Sequence, residues 1–598
     1  MKTLFLKAIA ILAGLALAAP TSFAQGRVQV SGTAKDAQTG EPVLGAVVME
    51  KGSRNAALVD ADGRFTITVA TDAELVCSCL GYVETSVSLN GRSSVDFLLS
   101  VDSQMLEETV VVGYGTLKKS QLVGSVESVS GEVLEDRVNS NITRSLQGQV
   151  AGLNIIQTDG KPTHGGEVYI RGGSTSYISK DQNGSGKASY SIGQGGGALV
   201  LIDGVEGSMS SVNPDDVESI SVLKDASSSV IYGARGAYGV ILITTKNAGK
   251  DKISVNYNGS VSVNSRTVKW EDEVVDNGLE YTEIFYKHWL GNTATPTAEG
   301  KLPTKMNIYS IPSDYLQRYR EHVESGATNN VELWNGRYLY YDDVNYIKLF
   351  YRRANVTTTH NLSVNGSSGR VSYGISGRYY TQQGIYKIGN EKYNSFNFRT
   401  KLKIQATDWL SIDNNTSLYK MDYIQPIFSK KDGNVGSQLR QIAMMGLPCI
   451  PTNNEDGTYT VAAAAGGYAA FKDGNSSQEQ GNITIITSTG VTIEPVRDVF
   501  NIRGEFAYRR VDTFTDRYVT PVAYSVSPGV MTDYVSQADS YHRRYDYSRD
   551  HITANVFATW TPRLNENHKL NVVAGWNLEN DVYHRQGKLR TGILYPDN

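Results

Sequence analysis

From residue 250 onward, apolar and polar residues alternate over long stretches. Ile253, Val255, Tyr257, Val261 and Val263 interleave with Ser254, Asn256, Asn258, Ser260 and Ser262. Phe396, Phe398, Leu402 and Ile404 interleave with Asn397, Arg399, Lys401 and Lys403. Phe500, Ile502, Phe506 and Tyr508 alternate with Asn501, Arg503 and Glu505, and Ile552, Ala554, Val556, Ala558 and Trp560 with Thr553, Asn555 and Thr559. A period of two places each set on one face of a strand. One apolar and one strongly polar face, repeated in segments of about ten residues, predicts transmembrane β-barrel strands. A soluble sandwich shows the same alternation in shorter, more evenly spaced strands.

The connections separate these two readings. Links at 366–369, 406–408 and 563–568 are short, whereas 267–356, 423–478 and 515–545 are long and aromatic or charged. Tight turns at one end and large loops at the other predict a barrel. Roughly nine strands are expected, against about 22 in transporters with a plugged lumen. With the loop-like residues 594–598 at the end, this count predicts a partial barrel and hence a fragment of a longer receptor.

Upstream, the elements are shorter. Lys2 and Lys7 precede an apolar run over 8–19, and Ser22-Phe23-Ala24 offers a cleavage pattern, so residues 1–24 read as an export signal. No later apolar run reaches the roughly 18 residues of a membrane helix. Residues 27–100 predict a small β-sandwich: Val28 to Ser31, a turn at Gly40-Glu41-Pro42, Val43 to Met49, Phe65 to Val69 and Leu75 to Leu80. Residues 117–249 predict a mixed unit. In it a short helix opens at Ser140, and strands run over 168–172, 198–202, 219–224 and 239–245. Asn213 is an N-cap for Pro214-Asp215-Asp216, with proline at the first helical position and acids in the first turn, and a helix runs from Asp225 to Ile231, stopped at Gly233.

Charge and chemistry narrow the function. A net charge of −4 argues against binding polyanions such as nucleic acid. Of the three cysteines, Cys77 and Cys79 share a strand face and are poorly placed to bridge each other; they read as small core residues. No metalloprotease, nucleophile-elbow, phosphate-loop or dinucleotide spacing is present, and no catalytic residue, metal site or cofactor is predicted. Glu271-Asp272-Glu273 and Asp342-Asp343 are either paired acids or a calcium site, or merely exposed loop carboxylates. The segments 181–187 and 453–457 resemble calcium loops in composition alone.

Several motifs resemble one family. Gly40-Glu41-Pro42-Val43-Leu44-Gly45-Ala46, Asp60-Ala61-Asp62-Gly63-Arg64-Phe65 and Leu80-Gly81-Tyr82 resemble the carboxypeptidase regulatory-like domain, which is not catalytic; Asn55-Ala56-Ala57 replaces its usual glycine turn. Three consecutive valines at 110–112 favour an extended segment, either an ordinary strand of a neighbouring domain or one able to add to a sheet edge of another protein. Val110-Val111-Val112-Gly113-Tyr114-Gly115 resembles the TonB box of SusC-like receptors. Leu146 to Leu153, Ile170-Arg171-Gly172, Leu201-Ile202-Asp203-Gly204-Val205 and the run 222–246 (VLKDASSSVIYGARGAYGVILITTK) are similar to the plug of those receptors.

The resemblance implies an all-β/α+β chain: an N-terminal β-sandwich, a mixed α/β plug and an incomplete transmembrane antiparallel β-barrel. Its expected divisions are signal peptide 1–24, regulatory-like sandwich 25–104, TonB box segment 105–116, plug 117–249 and partial barrel 250–598. It implies that Thr109, Val110, Val111, Val112, Gly113 and Tyr114 bind TonB. It also implies a plug motif of Arg171, Gly172, Asp203, Gly204, Lys224, Asp225, Tyr232 and Gly233. Residues 173–197 depart from the family by their length; they read either as a linker or as an apical loop presenting Tyr177 and Tyr190 to ligand. The implied function is active import of a large oligosaccharide or peptide across the Gram-negative outer membrane, with the TonB complex and a SusD-like lipoprotein as partners. A TonB-linked sensory receptor and a non-functional truncated receptor are the alternatives.

Overall fold

The computed structural model describes residues 27–592 with breaks, the longest at 101–108, 293–301 and 428–441. The expected export signal and residues 594–598 lie outside the described residues. The chain divides into two compact units, residues 1–110 with 116–122 and residues 111–115 with 123–598.

In the first unit, alternation builds a two-sheet sandwich. Phe65, Ile67 and Val69 of strand Arg64–Ala70 are buried, and the polar residues between them are exposed. One sheet has the order Arg64–Ala70, Arg27–Asp36, Phe97–Leu99; the other has Ala56–Leu58, Val47–Glu50, Glu74–Ser78, Thr85–Ser88. Val30, Val48, Leu75, Cys77 and Phe97 fill the space between. Gly32 is required there, because a Cβ would lie 1.6 Å from the Val95 carbonyl oxygen. Where Asn55-Ala56-Ala57 departs from the glycine turn, Ala56–Leu58 still pairs with Val47–Glu50. Cys77 and Cys79 are free thiols.

The second unit is dominated by one nine-stranded sheet: β1 (Ser254–Ser265), β2 (Ala354–Ser368), β3 (Val371–Gln383), β4 (Lys392–Gln405), β5 (Leu410–Pro426), β6 (Ser477–Val496), β7 (Phe500–Val519), β8 (Tyr541–Trp560) and β9 (Val572–Thr591). Each strand pairs antiparallel with the next. Among the described residues the sheet is open, with β1 and β9 at its edges.

Its polarity is inverted relative to a soluble protein. On β4, Phe396 and Phe398 are 40% and 39% exposed, while Asn397 and Arg399 between them are 6% and 9% exposed. The apolar face looks outward and the polar face inward, the arrangement lipid imposes on a barrel wall. Strands of 12 to 20 residues exceed the expected ten or so. The outward positions of β7 explain the excess. Phe500, Ile502, Gly504, Phe506 and Tyr508 come first, followed by Arg510, Asp512, Phe514 and Asp516. On β8, Trp560, Ala558, Val556, Ala554 and Ile552 give way to Asp550, Ser548, Asp546 and Arg544 at the same level. A tilted strand crosses hydrocarbon in about 9–11 residues. The half nearest the short turns therefore meets lipid, and the other half stands beyond it.

A smaller five-stranded sheet lies against the polar face, in the order Val126–Ser130, Val217–Leu223, Val240–Thr245, Leu199–Ile202, Val205–Glu206. Ile142, Leu146, Val217, Ile220, Val222, Ile241 and Ile243 form its core. Asn141 caps the helix Ile142–Ser145 by accepting from the Thr143 amide at 2.7 Å, and Asn213 accepts from the Asp215 amide at 3.3 Å. The single helix expected from Asp225 to Ile231 is instead an α-turn, Ala226–Ser229, followed by a 3-10 segment, Val230–Gly236. Gly233, at φ 58° and ψ −145°, breaks that segment in a conformation costly for any side chain.

The long links are not loose loops. Helices Gly278–Asn292 and Tyr315–Ser325 join residues near 340–351 and 442–471 around a tyrosine-rich core that includes Tyr315, Tyr319, Tyr340, Tyr346, Phe350 and Phe471. The hydroxyls donate inward, Tyr315 to the Tyr340 carbonyl at 2.5 Å and Tyr319 to the Asp342 carbonyl at 2.7 Å. Burial pushes the Tyr309 and Tyr315 hydroxyls well above the ordinary phenol value, so both stay neutral donors.

Phe506→Arg places a charge within the apolar band and is expected to block stable membrane insertion, at about 2–4 kcal/mol. Ser548→Arg, outward but beyond the band, is expected to be tolerated. Heat-modifiable mobility and resistance to urea extraction check both; equal behaviour of the two variants would refute the position assigned to the band.

Candidate functional site

The sequence Leu201-Ile202-Asp203-Gly204-Val205-Glu206 folds as a two-residue hairpin, with Ile202 opposite Val205. Asp203 (φ 45°) and Gly204 (φ 87°) both occupy the left-handed region, as a tight Asp-Gly turn requires. The turn drives two carboxylates against the inner face of the wall.

Asp203 accepts from the Thr245 amide at 2.9 Å and its hydroxyl at 2.6 Å, both within the small sheet. From the wall it receives Arg399 of β4 at 2.5 Å and Asn415 of β5 at 2.8 Å, with Lys401 at 3.9 Å. Lys401 also donates to the Thr245 carbonyl at 3.0 Å. Glu206 is held by Arg509 of β7 at 2.9 Å and Arg549 of β8 at 2.8 Å, with Arg235 at 3.5 Å. Arg549 in turn pairs with Asp581 at 2.7 Å, and Arg235 reaches Glu579 of β9. Nearby, Asp216 accepts from Ser376 at 2.8 Å and the Ser211 carbonyl from Asn397 at 2.9 Å. The apolar part of this contact is small, chiefly Val205 and Ile202 against Ile486 and Ala507. On the side of the short turns a polar cavity of about 630 Å³ lies between Asp203 and Asn247 and the wall residues Lys401, Asp413, Arg503 and Glu505.

The expected site residues distribute unevenly. Thr109 to Val112 form a strand, while Gly113, Tyr114, Arg171 and Gly172 lie outside the described residues. Asp203 and Gly204 make the turn that meets the wall. Lys224 instead pairs with Glu127 inside the small domain, and the Asp225 carbonyl accepts the Ser228 and Ser229 hydroxyls at 2.9 and 3.1 Å. Tyr232 packs on a cluster of Leu201, Leu223, Val240 and Leu242, and Gly233 supplies the kink beside it. Tyr177 and Tyr190 fall on the paired strands Tyr177–Lys180 and Ala188–Ser191.

Sequence reasoning missed Glu206, Arg235, Arg399, Lys401, Arg509 and Arg549 as partners. A signal existed: Arg399 and Lys401 sit on the inward face of a lipid-embedded strand, where a cation needs a counter-charge. The acid pairs considered as cation sites have structural partners. Asp343 accepts from the Gly278 amide at 2.5 Å where a helix begins, and Asp272 pairs with Lys348 at 3.5 Å. In the segment 453–457, Asn453 donates to the Gly457 carbonyl at 3.1 Å and closes a turn. Among the described residues no group of three or more His, Cys, Asp or Glu is arranged to hold a metal ion.

Comparison with known proteins agrees with this architecture. Residues 118–240 match the model of the TonB-dependent Receptor Plug Domain, and residues 30–111 match that of the CarboxypepD_reg-like domain. TonB-dependent receptor SusC of Bacteroides thetaiotaomicron is 33% identical over 62% of this chain and 31% of its own length. TonB-dependent receptor P26 of Formosa agariphila is 31% identical over 72% of this chain and 37% of its own length. The RagAB peptide importer in its open-open state superposes with a TM-score of 0.60 at 21% identity, over 81% of this chain and 50% of that one. The chain belongs to the SusC-like TonB-dependent receptors. It spans about a third of the length of the curated relatives it matches.

In this SusC-like receptor the plug is therefore held on the wall mainly by charge. Burial is the largest single influence on Asp203 and raises its pKa, but the combined effect of Arg399, Lys401 and Thr245 holds the carboxyl below the ordinary range. Glu206 behaves alike, with burial outweighed by Arg509, Arg549 and Arg235 acting together. Asp216 goes the other way, because burial dominates and raises its value. A carboxyl with a lowered folded-state pKa contributes stability that is complete above its unfolded value and disappears as pH falls through the folded one. Plug docking is thus expected to be full above about pH 5 and to weaken below about pH 4, with Asp216 opposing that loss because its protonation is favoured. Glu206→Gln leaves the buried Arg509 short of a counter-charge and is expected to cost about 3–5 kcal/mol of docking. Hydrogen exchange in Val217–Leu223 and Val240–Thr245 reads both effects; unchanged protection at low pH and in the variant would refute the ionic account.

Proposed function

We propose that this receptor acts in active import across the outer membrane of a Gram-negative bacterium, as a transporter and not as a catalyst. The observation that carries this reading is a plug clamped by Asp203 and Glu206 against the polar face of a wall whose opposite face is apolar. Such a sheet suits a membrane, and such a plug obstructs whatever passes along its inner face.

The docking is polar and so can be undone and remade without exposing a large apolar surface. Work is needed to undo it, and the outer membrane holds no nucleotide fuel. The extended segment Thr109–Val112, rich in β-branched residues, suits main-chain pairing with the TonB complex, with Gly113 and Tyr114 completing the motif. Arg171, Gly172, Lys224, Asp225, Tyr232 and Gly233 then serve the plug's internal build, and Tyr177 and Tyr190 its ligand-facing loop. A SusD-like surface lipoprotein over the long-link domain and an oligosaccharide or peptide cargo complete the proposal. SusC is the relative that supports this pairing, and RagAB is an importer of peptides by its description.

Val111→Pro removes a backbone donor and distorts the strand. It is expected to abolish binding of the purified C-terminal domain of TonB from the same bacterium, while Val111→Ile retains binding. Fluorescence titration against the detergent-solubilised receptor checks this. Undiminished binding by the proline variant would place the coupling strand elsewhere.

A further inference from the structure

The two carboxylates of the hairpin are held in different ways. Asp203 has two hydrogen bonds inside the plug, from the Thr245 amide at 2.9 Å and hydroxyl at 2.6 Å, and both survive separation from the wall. Glu206 has only Arg235, at 3.5 Å, as a plug partner among the described residues, and Arg235 itself reaches Glu579 of the wall. The wall shows the same asymmetry. Facing Asp203, Arg399 also donates to the Asn415 side-chain oxygen at 3.1 Å, and Lys401 shares the 630 Å³ cavity with the acids Asp413 and Glu505. Facing Glu206, Arg509 is 5% exposed and makes no second ion pair among the described residues. Water also reaches the two contacts differently. Along β4 the 630 Å³ cavity borders Lys401 to Gln405, and a second cavity of about 30 Å³ borders Asn397 to Arg399. Along β5 the first borders Asp413 and the second Ser417 and Leu418, and Asn415 lines both. The contact of Asp203 with Arg399 and Asn415 is thus the partition between two cavities, whereas beside Glu206 the packing is apolar, with Val205 on Ile486 and Ala507.

We infer that the passage through the receptor opens at the Asp203 contact, along β4 and β5, while the Glu206 contact remains as the pivot on which the plug turns. The inference rests on the importer reading and specifies where its path lies. A buried polar group costs most when it loses its last partner, so a pull on the plug parts first the contact whose members keep partners. Separating Asp203 from Arg399 and Asn415 removes the partition and joins the two cavities into one water-filled slot on the inner face of the wall. Separating Glu206 strips Arg509 of its counter-charge and exposes Val205, Ile486 and Ala507 to water, so that contact outlasts the other. The floor of the slot is kept low by Gly490, where a Cβ would stand 2.5 Å from the Arg503 guanidinium. Arg503 lies over that glycine, bidentate to Asp413 at 2.6 and 3.0 Å.

The test compares variants of the purified receptor in liposomes, by efflux of entrapped potassium and by protease digestion of the plug. Asp203→Asn removes the charge and keeps the turn, because Asn-Gly suits the same left-handed conformation. It is expected to raise efflux at least about tenfold over the unsubstituted receptor, through the larger open fraction that follows loss of a buried ion pair. Its plug is expected to stay as resistant to protease as before. Arg399→Gln breaks the same contact from the wall, is expected to match it, and serves where Asp203→Asn does not fold. Glu206→Gln is expected to make the plug protease-sensitive. Unchanged heat-modifiable mobility shows that the barrel of each variant is folded. Unchanged efflux or a digested plug with the Asp203 contact broken, or a resistant plug in Glu206→Gln, would overturn the inferred order of release. The measurement involves neither TonB nor cargo, so its failure leaves the importer reading standing. Loss of TonB binding with this order intact would reject that reading alone.

Discussion

A sheet that turns its apolar face outward must find partners for its polar face, and this requirement shapes the rest of the receptor. Lipid accepts Phe396, Phe398, Phe506 and Val556 but offers nothing to Arg399 or, at the edge of the band, Arg509 on the other side. Uncompensated charges at that depth are costly. The plug supplies the compensation through one hairpin, with Asp203 and Glu206 on either side of a glycine turn reaching different strands of the wall. The polar interior is thus stable because it is occupied, and the plug is positioned because the interior is charged.

Charge-dominated docking has a mechanical consequence. A plug fixed by a large apolar interface resists displacement at every point, because separation exposes hydrocarbon-like surface to water. Here the apolar contact is confined to a few side chains around Val205, and the stronger attachments are hydrogen-bonded ion pairs. Water and the polar cavity beside Asp203 can solvate those groups once they part. Such a joint is strong at rest and recoverable after displacement, as a repeatedly moved obstruction needs.

The same sheet serves two environments. Near the short turns its outward face is apolar; beyond Tyr508 and Ile552 it becomes charged, and the outward arginines and acids pair with one another, as Arg510 does with Asp512 at 2.7 Å. Above it the long links fold around buried tyrosines, of which Tyr315 and Tyr319 donate to backbone carbonyls, giving a packed core where large loops were expected.

Much of the fold was legible in the sequence, because strand alternation is a local property with a period of two. The nine strands, the alternation of short and long links, the sandwich and the Asp203-Gly204 turn all follow from neighbours along the chain. The half of each strand lying beyond lipid was written in the outward positions of β7 and β8, but reading it required the register that defines outward. The plug–wall contacts were not legible: Asp203 and Arg399 are 196 positions apart, and Glu206 and Arg549 are 343 apart. Nor could spacing separate Lys224, bound within the plug, from Lys401, bound across to it. The sequence by itself determined which residues alternate, turn and cap, since those preferences act over a few bonds. Only the tertiary structure decided which charges meet, because an ion pair depends on distance in space and on the water that burial removes.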